Sequence, residues 1–451
     1  MASLVISLFL ERPNAVGFPL IFIKNCAIIN LAKAVIKGLI DNQEKQERVL
    51  LAGVELQTSD SFESEMLELA ELTKTAGGLV IDEFHQKRER PDARTMIGSG
   101  KLEQMSWAIE VGEIDTVIFN DRLTPRQNLN LEQILGVKVI DRMQLILDIF
   151  AMRARSHEGM LQVEQAQLNY LLPRLVGQGI QLSRQAGGIG SKGPGETQLE
   201  MDRRHIRKRI DDIDKALKKV EQTRETMRQK RAKSGIFKIG LIGYTNAGKS
   251  SIMNALVGES KSQYEQDELF ATLDATTKLV RLHEDFTVSL TDTVGFIQKL
   301  PTELIKAFKS TLEESANVDL LIHVVDASNP YHELHESTVQ AIMDELDLRS
   351  IPVLNVYNKM DLVKGDFIPT LSPALQLSIK EASGLQWLKS GILERLHELF
   401  QSFEIDLPYS KAYQLPELRK QALVSEVIEL DTHYKIKGLI APEQSWLLDQ
   451  Y

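Results

Sequence analysis

Residues 243–250 carry a glycine-rich signature for phosphate binding, Gly-Tyr-Thr-Asn-Ala-Gly-Lys-Ser. It matches the P-loop pattern, in which glycines let backbone N–H groups point at phosphate oxygens. An apolar run at 237–242 predicts a strand before the loop, and Ser251–Leu256 predicts a helix after it, whose N-terminus favours an anion. We expect Lys249 to reach the β- and γ-phosphates and Ser250 to bind Mg²⁺.

A second signature, Asn358-Lys359-Met360-Asp361, predicts which base is bound. The carboxylate of Asp361 can accept hydrogen bonds from both guanine N1–H and the exocyclic amine, whereas adenine offers neither donor at those positions. Ser378-Ile379-Lys380 stands where a second base-contacting loop is expected. Together with the P-loop, these strings predict a guanine-nucleotide site.

Asp292-Thr293-Val294-Gly295 follows a predicted strand and indicates the segment that senses the γ-phosphate. We expect Asp292 to hold Mg²⁺ through water and Gly295 to offer its N–H to the γ-phosphate. Many GTPases carry glutamine next, to orient the attacking water, but this chain has Phe296. The sequence therefore predicts slow intrinsic hydrolysis that a large partner stimulates, or a monovalent cation acting in place of an arginine finger. Asn246 matches the asparagine of potassium-using relatives, although it could equally be a simple turn residue.

One threonine between these segments should complete the Mg²⁺ shell when the γ-phosphate is present. Three candidates exist, and we favour Thr272 over Thr276 and Thr277. The predicted nucleotide site consists of five segments of the chain. They are Gly243, Tyr244, Thr245, Asn246, Ala247, Gly248, Lys249 and Ser250; Phe270, Ala271, Thr272, Leu273 and Asp274; Asp292, Thr293, Val294 and Gly295; Asn358, Lys359, Met360 and Asp361; and Ser378, Ile379 and Lys380.

The composition is that of a globular protein of several domains. The chain has 451 residues, 43% of them hydrophobic, and a formal net charge of −10, so its bulk surface is not that of a generic polyanion binder. Cys26 is the single cysteine, which excludes internal disulfides and fits a reducing, cytoplasmic compartment. No apolar run reaches about 18 residues without a charge, so we expect no membrane span.

Alternating strand and helix patterns predict a multidomain α/β fold. We expect an N-terminal domain with a parallel sheet, a P-loop GTPase domain with a mixed, mostly parallel sheet, and a helical hairpin arm between them. The predicted boundaries are a variable extension at 1–46, the N-terminal α/β domain at 47–155, the arm at 156–234 with a glycine-rich loop at 187–196, the GTPase domain at 235–401, and a small C-terminal α/β domain at 402–451 with a helix over Glu417–Val427.

Apolar residues at heptad spacing from Leu199 to Met227, Ile213 among them, predict a long helix over Thr197–Lys233 as the second arm of the hairpin. Its predicted partner is His157–Leu175, where a matching stripe of leucines includes Leu171.

The second arm is strongly basic. Residues 201–233 contain 13 Lys or Arg and 6 Asp or Glu, a net of +7, which leaves −17 for the rest of the chain. A basic rod on an acidic body is typical of binding to a structured RNA through its phosphates. A solvated helix face and a coiled-coil interface are the alternatives. The candidate RNA contacts are Arg203, Arg204, Arg207, Lys208 and Arg209, with Lys192 from the glycine-rich loop.

Several of these segments resemble the HflX family of translational GTPases, in the TRAFAC class of P-loop proteins. The resemblance covers roughly residues 49–400, and the usual Ser-Ala-Lys near the base is Ser378-Ile379-Lys380 here. The matching segments are Val117–Leu129, Arg153–Leu175 with its Gln-Ala-Gln-Leu, Gly187–Glu200 followed by Asp202-Arg203-Arg204, Gly243–Ser250, Phe270–Asp274 and Asp292–Phe296.

The resemblance implies a function beyond nucleotide binding. Members of the family bind the large ribosomal subunit in the GTP form and can split stalled ribosomes under stress. The glycine-rich loop and basic arm would then contact ribosomal RNA, and the ribosome would be the activator that Phe296 requires. We expect GTP, Mg²⁺ and possible use of K⁺ as cofactors, and a monomer. A ribosome-assembly or RNA-modification GTPase, and a GTP switch with a protein partner, are the rival interpretations.

Overall fold

The computed structural model describes residues 46–56, 61–182, 194–232, 235–258, 270, 276–293, 295–299 and 318–450. Residues 1–45 of the predicted extension, residues 187–193 of the glycine-rich loop and the segment 271–275 lie outside these ranges. Among the described residues, no helix is both long enough and apolar enough to cross a membrane.

The N-terminal module contains a four-stranded, all-parallel sheet in the order β2-β1-β3-β4. Parallel strands are buried on both faces, and β1 and β3 are accordingly apolar and buried along most of their length. Thr124 and Gln127 form a capping box that starts one helix, and Gly136 ends it with φ +70°. The elements are β1 Arg48–Leu56, α1 Phe62–Thr75, β2 Leu79–Arg88, α2 Ser99–Gly112, β3 Thr116–Phe119, α3 Pro125–Leu135, β4 Lys138–Asp141 and α4 Arg142–Arg153.

Two long helices, α5 His157–Leu182 and α6 Pro194–Ala232, pack against each other as the predicted arm. Ile213 of the apolar seam is buried, and Arg209 donates two hydrogen bonds to the carboxylate of Glu164 across the pair. Leu171, predicted to face the partner helix, is 43% exposed. The glycine-rich loop was predicted to extend to residue 196, but α6 already begins at Pro194. Proline is preorganised for the first turn of a helix, which explains the earlier start.

The central sheet has six strands in the order β10-β9-β8-β5-β7-β6. Only β6 runs antiparallel, pairing with β7, so the prediction of a mixed, mostly parallel sheet is confirmed. The carboxyl ends of β5, β7, β8 and β9 meet at one edge, where ligands of such sheets bind. The elements are β5 Phe237–Gly243, α7 Lys249–Val257, β6 Thr276–His283, β7 Phe286–Asp292, β8 Leu320–Asp326, α8 His332–Glu345, β9 Val353–Asn358, β10 Ala374–Gln376 and α9 Gly384–Leu399.

The C-terminal residues form a three-stranded antiparallel sheet in the order β11-β13-β12. The predicted helix over Glu417–Val427 is wrong in its second half: α10 ends at Gln421, and Leu423–Glu429 is strand β12. Val424, Val427 and Ile428 are β-branched and suit a pleated surface better than a helix. The elements are β11 Gln401–Pro408, α10 Leu415–Gln421, β12 Leu423–Glu429 and β13 His433–Ile440.

Candidate functional site

The loop between β5 and α7 has a backbone that only glycine allows at two positions. A Cβ on Gly243, whose φ is +152°, would lie 2.3 Å from the carbonyl oxygen of Val324. A Cβ on Gly248, whose φ is +100°, would lie 2.3 Å from the side-chain nitrogen Nδ2 of Asn358. The strand, glycine loop and helix predicted from the sequence are therefore present, with α7 starting at Lys249.

Lys249 is almost fully buried at the floor of this loop. Its Nζ donates to the carbonyl oxygens of Gly243, at 3.0 Å, and Tyr244, at 2.7 Å. Burial lowers the pKa of Lys249 to about 8, and the nearby carboxylate of Asp292 opposes that shift. A cation held in a dry pocket is a strong partner for phosphate oxygens.

Oxygen ligands suited to Mg²⁺ lie beside the lysine. The hydroxyl of Ser250 donates to Oδ2 of Asp292 at 2.8 Å, and Asp292 is 2% exposed. A hydroxyl and a carboxylate are hard oxygen donors, so this pair fits Mg²⁺. Of the threonine candidates, Thr276 and Thr277 lie in β6, and the hydroxyl of Thr277 shares a 3.0 Å hydrogen bond with Thr291. Thr272 lies outside the described residues.

The segment after β7 runs directly against the P-loop. The N–H of Phe296 donates to the Gly243 carbonyl at 3.2 Å, and the N–H of Thr245 donates to the Phe296 carbonyl at 2.8 Å. A Cβ built on Gly295 would lie 3.1 Å from Nζ of Lys249 and 2.8 Å from Cγ2 of Thr245. Gly295 therefore lies next to Lys249, as its predicted contact with the γ-phosphate requires, while Val294 is outside the described residues.

Phe296 is 1% exposed and belongs to an apolar cluster with Tyr244, Phe270 and Ile297. An aromatic ring offers no hydrogen bond to a water molecule, and this one is enclosed by apolar side chains. The geometry supports the interpretation that Phe296 plays no part in orienting the attacking water.

Asn358 ties the predicted base-binding segments to the P-loop. Its Nδ2 donates to the Ala247 carbonyl at 3.0 Å, and its Oδ1 accepts from the N–H of Ile379 at 3.1 Å. Asp361 lies in a short 3₁₀ turn, Met360–Leu362, with an exposed side chain. The three segments predicted from separate stretches of sequence thus meet at one edge of the sheet, with the Asp361 side chain exposed there.

A polar network joins this site to the N-terminal module, and sequence reasoning missed it. The hydroxyl of Tyr244 donates to Glu68 at 2.7 Å and accepts from the N–H of Gln298 at 2.7 Å. Arg142 pairs with Glu68 at 2.8 Å, and both are nearly buried. Burial raises the pKa of Glu68 in spite of that arginine. His335 stacks on the Tyr244 ring with centroids 3.7 Å apart. The tyrosine and glutamate are 176 positions apart, and no local pattern signals such a contact.

The basic candidates on α6 differ in their surroundings. Arg204, Arg207 and Lys208 are exposed. Arg209 is held by Glu164, and Arg203 lies 3.6 Å from Glu200, so these two are partly neutralised. Lys192 is outside the described residues.

Comparison with known protein families matches three consecutive regions of the chain. A family described as "GTP-binding GTPase N-terminal" matches residues 63–151, "GTP-binding GTPase Middle Region" matches 153–231, and "50S ribosome-binding GTPase" matches 238–359. The middle region thus coincides with the two long helices, and the third match contains the P-loop.

Similar proteins are found over most of the chain. GTPase HflX of Alkalihalophilus pseudofirmus is 47% identical over 384 residues, covering 85% of this chain and 90% of that protein. GTPase HflX of Escherichia coli is 38% identical over 396 residues, covering 85% and 92%. Among solved structures, a GTP-binding protein from Sulfolobus solfataricus in complex with GDP covers 78% of this chain and 100% of its own, at 25% identity and a TM-score of 0.44. That structural similarity is too distant to assign residues.

Proposed function

This chain belongs to the HflX family of GTPases, and on that premise we propose that it binds the large ribosomal subunit in its GTP form and splits or rescues stalled ribosomes under stress. The observation that carries the proposal is the exposed basic face of α6 in the same chain as a 50S ribosome-binding GTPase region. A rigid, positively charged helix pair suits RNA that is recognised by shape and phosphate.

In this proposal each part of the nucleotide site has a defined task. Lys249 and the P-loop N–H groups hold the phosphates, and Asp361 reads the guanine. Ser250, Thr272 and, through water, Asp292 would hold Mg²⁺, which neutralises charge on the phosphates when bound. Gly295 would report the γ-phosphate, so that the switch segments differ between the GTP and GDP forms.

Phe296 leaves the orientation of water to another group, so the ribosome is the proposed activator. K⁺ is a second proposed contributor, through Asn246 at the bend of the P-loop. Asn246 is exposed with φ +59°, a conformation that asparagine and glycine tolerate. Asn246→Gly keeps that backbone and removes the side chain. It should abolish any stimulation by K⁺ over Na⁺, and a stimulation that survives would exclude Asn246 as a ligand.

Co-sedimentation with ribosomes and separated large subunits, using a non-hydrolysable GTP analogue at several salt concentrations, tests the ribosomal function. Arg204→Glu with Arg207→Glu should weaken binding and flatten its salt dependence, because fewer counterions are released. Lys420→Glu with Lys435→Glu changes the net charge equally on the C-terminal residues and should leave binding unchanged. An equal loss of ribosome affinity in both double variants would refute a specific role for α6. Binding to immature particles alone would favour an assembly factor.

A further inference from the structure

Gln298, three residues after Gly295, is bound through its N–H, its carbonyl and its side chain. Its N–H donates to the hydroxyl of Tyr244 at 2.7 Å, and its carbonyl accepts from Nη2 of Arg142 at 3.4 Å. Its side-chain nitrogen Nε2 donates to the hydroxyl of Ser64 at 3.0 Å, and the residue is 4% exposed. The backbone that leads away from Gly295 is therefore fixed at this residue.

Tyr244, which holds the N–H of Gln298, is itself a residue of the P-loop. Its backbone carbonyl accepts from Nζ of Lys249 at 2.7 Å, and its hydroxyl donates to Glu68 at 2.7 Å. Burial and the negative charge of Glu68 raise the pKa of Tyr244, so the hydroxyl stays protonated and donates. A phenolic hydroxyl donates one hydrogen bond and can accept others, so it can bind Glu68 and Gln298 at the same time.

The stretch from Phe296 to Gln298 is thus attached to the P-loop at both ends. The N–H of Phe296 donates to the P-loop backbone at 3.2 Å, and the N–H of Gln298 donates to the side chain of Tyr244. Gly295 directly precedes this stretch, and a Cβ built on it would lie 3.1 Å from Nζ of Lys249. The tyrosine hydroxyl therefore helps to determine where Gly295 lies beside the lysine.

The acceptor of the tyrosine hydroxyl is held firmly by the N-terminal module. Glu68 lies on α1 and pairs with Arg142 of α4 at 2.8 Å, and both side chains are nearly buried. Arg142 also donates to Oδ1 of Asn120 at 2.9 Å. A site residue whose partners are fixed by packing and further hydrogen bonds keeps a precise geometry.

We propose that Tyr244 is a positioning residue for GTP, whose hydroxyl holds Gln298 and so presets Gly295 for the γ-phosphate. The inference rests on the contact between Gly295 and the γ-phosphate in the proposed function. The hydroxyl acts only through that segment, because it is bound to Glu68 and Gln298. GDP lacks the γ-phosphate, so the hydroxyl matters for GTP and not for GDP.

Tyr244→Phe and Tyr170→Phe in the full-length protein test the inference as a matched pair. The two tyrosines are 6% and 7% exposed, and each hydroxyl donates to a buried carboxylate at 2.7 Å. Each carboxylate also has an arginine at 2.8 Å, which both variants retain. The hydroxyl of Tyr170 binds Asp141 of the N-terminal module and not a residue of the P-loop.

The measurements are the Kd values of GDP and of a non-hydrolysable GTP analogue with Mg²⁺, kcat and KM for GTP, and the melting temperature. Tyr244→Phe should weaken binding of the GTP analogue by about twofold to tenfold, the effect of one hydrogen bond, and lower kcat. Its Kd for GDP should stay as in the parent. Tyr170→Phe should lower the melting temperature yet keep the ratio of the two Kd values. An equal ratio in both variants, or a tighter GTP analogue in Tyr244→Phe, would overturn the inference.

Gly295→Ala gives the second test, because a Cβ at this position would lie 2.8 Å from Cγ2 of Thr245 and so displace the segment. This variant should itself weaken the GTP analogue relative to GDP. Adding Tyr244→Phe should then change the ratio no further, since the hydroxyl acts through Gly295. A further loss as large as in the parent would refute that route.

The same variants separate the inference from the proposed function on which it rests. An unchanged ratio of the two Kd values in Gly295→Ala alone would contradict the contact with the γ-phosphate, and with it the inference. A changed ratio in Gly295→Ala together with an unchanged ratio in Tyr244→Phe would overturn the inference alone.

Discussion

Replacing Arg142 by methionine should strongly destabilise the protein, although the residue lies outside the nucleotide-binding segments. Arg142 is 4% exposed and lies 2.8 Å from the carboxylate of Glu68, which is 7% exposed. Its Nη1 also donates to Oδ1 of Asn120 at 2.9 Å and to the Glu65 carbonyl at 3.1 Å. Methionine fills a similar volume but offers none of these donors.

The magnitude follows from what the substitution leaves behind. Glu68 would remain buried without its cation, while the hydroxyl of Tyr244 still donates to it at 2.7 Å. Removing one member of a buried ion pair costs about 3–5 kcal/mol, because the other charge is then uncompensated. At about 2–4 °C per kcal/mol, the melting temperature should fall by about 6–20 °C. The loss should be smaller at acidic pH, where Glu68 can be protonated.

Arg209→Met is the matched control, because Arg209 also pairs with a glutamate, at 2.6 Å, but is 52% exposed while Glu164 is 37% exposed. Exposed pairs contribute about 0.2–1 kcal/mol, so this variant should melt within about 4 °C of the parent. Differential scanning calorimetry at pH 7.5 compares the two. If the melting temperatures of Arg142→Met and Arg209→Met agree within error, the buried Arg142–Glu68 pair does not stabilise the contact between the modules.

Two further predictions concern an exposed and a buried residue of the central module. Asp361→Asn should lower the affinity for GTP by about a hundredfold or more and shift the preference towards xanthosine triphosphate, because two charge-assisted hydrogen bonds to guanine are lost. Competition binding between the two nucleotides measures this preference. An unchanged preference for guanine would mean that another residue reads the base. Burial lowers the pKa of His323 from 6.5 to about 4. The contribution of the neutral, buried imidazole to the free energy of unfolding is therefore fully present above pH 6.5 and is lost as the pH falls towards 4, with a loss of about 2 kcal/mol at pH 5. Between pH 7 and pH 5 the free energy of unfolding of His323→Gln should fall by correspondingly less than that of the parent, measured by calorimetry, and an equal fall would contradict this assignment.

The parts of the site that are local in sequence could be predicted from it. A P-loop is a strand, a glycine turn and a helix within about 20 residues, and each step has its own pattern. The base-reading string and Asp292 follow apolar strands of the same sheet, whose carboxyl ends must meet at one edge. The two arm helices were likewise predictable from their length and apolar seam.

The connections between modules were not predictable, for a physical reason. Gln298 reaches Ser64 across 234 positions of sequence, and Lys299 pairs with Glu65 across the same separation. These contacts depend on how finished elements pack, which no window of a single sequence contains. The error in the C-terminal helix has another cause: Leu423–Glu429 is acidic enough to suit a helix surface, but its valines favour the sheet once β13 provides a partner.

The packing around the switches constrains how they can move. Phe270 and Phe296 share one buried cluster with Phe150 and Ile146 of the N-terminal module. Fully burying a phenylalanine side chain contributes about 1.5–3 kcal/mol, so exposing one of these rings to water would cost about that much. Coupling between sites in proteins typically amounts to about 1–3 kcal/mol, so exposing even one ring would use most of that free energy. A rearrangement that keeps both rings buried costs less, and the switches should therefore rearrange together with the N-terminal module.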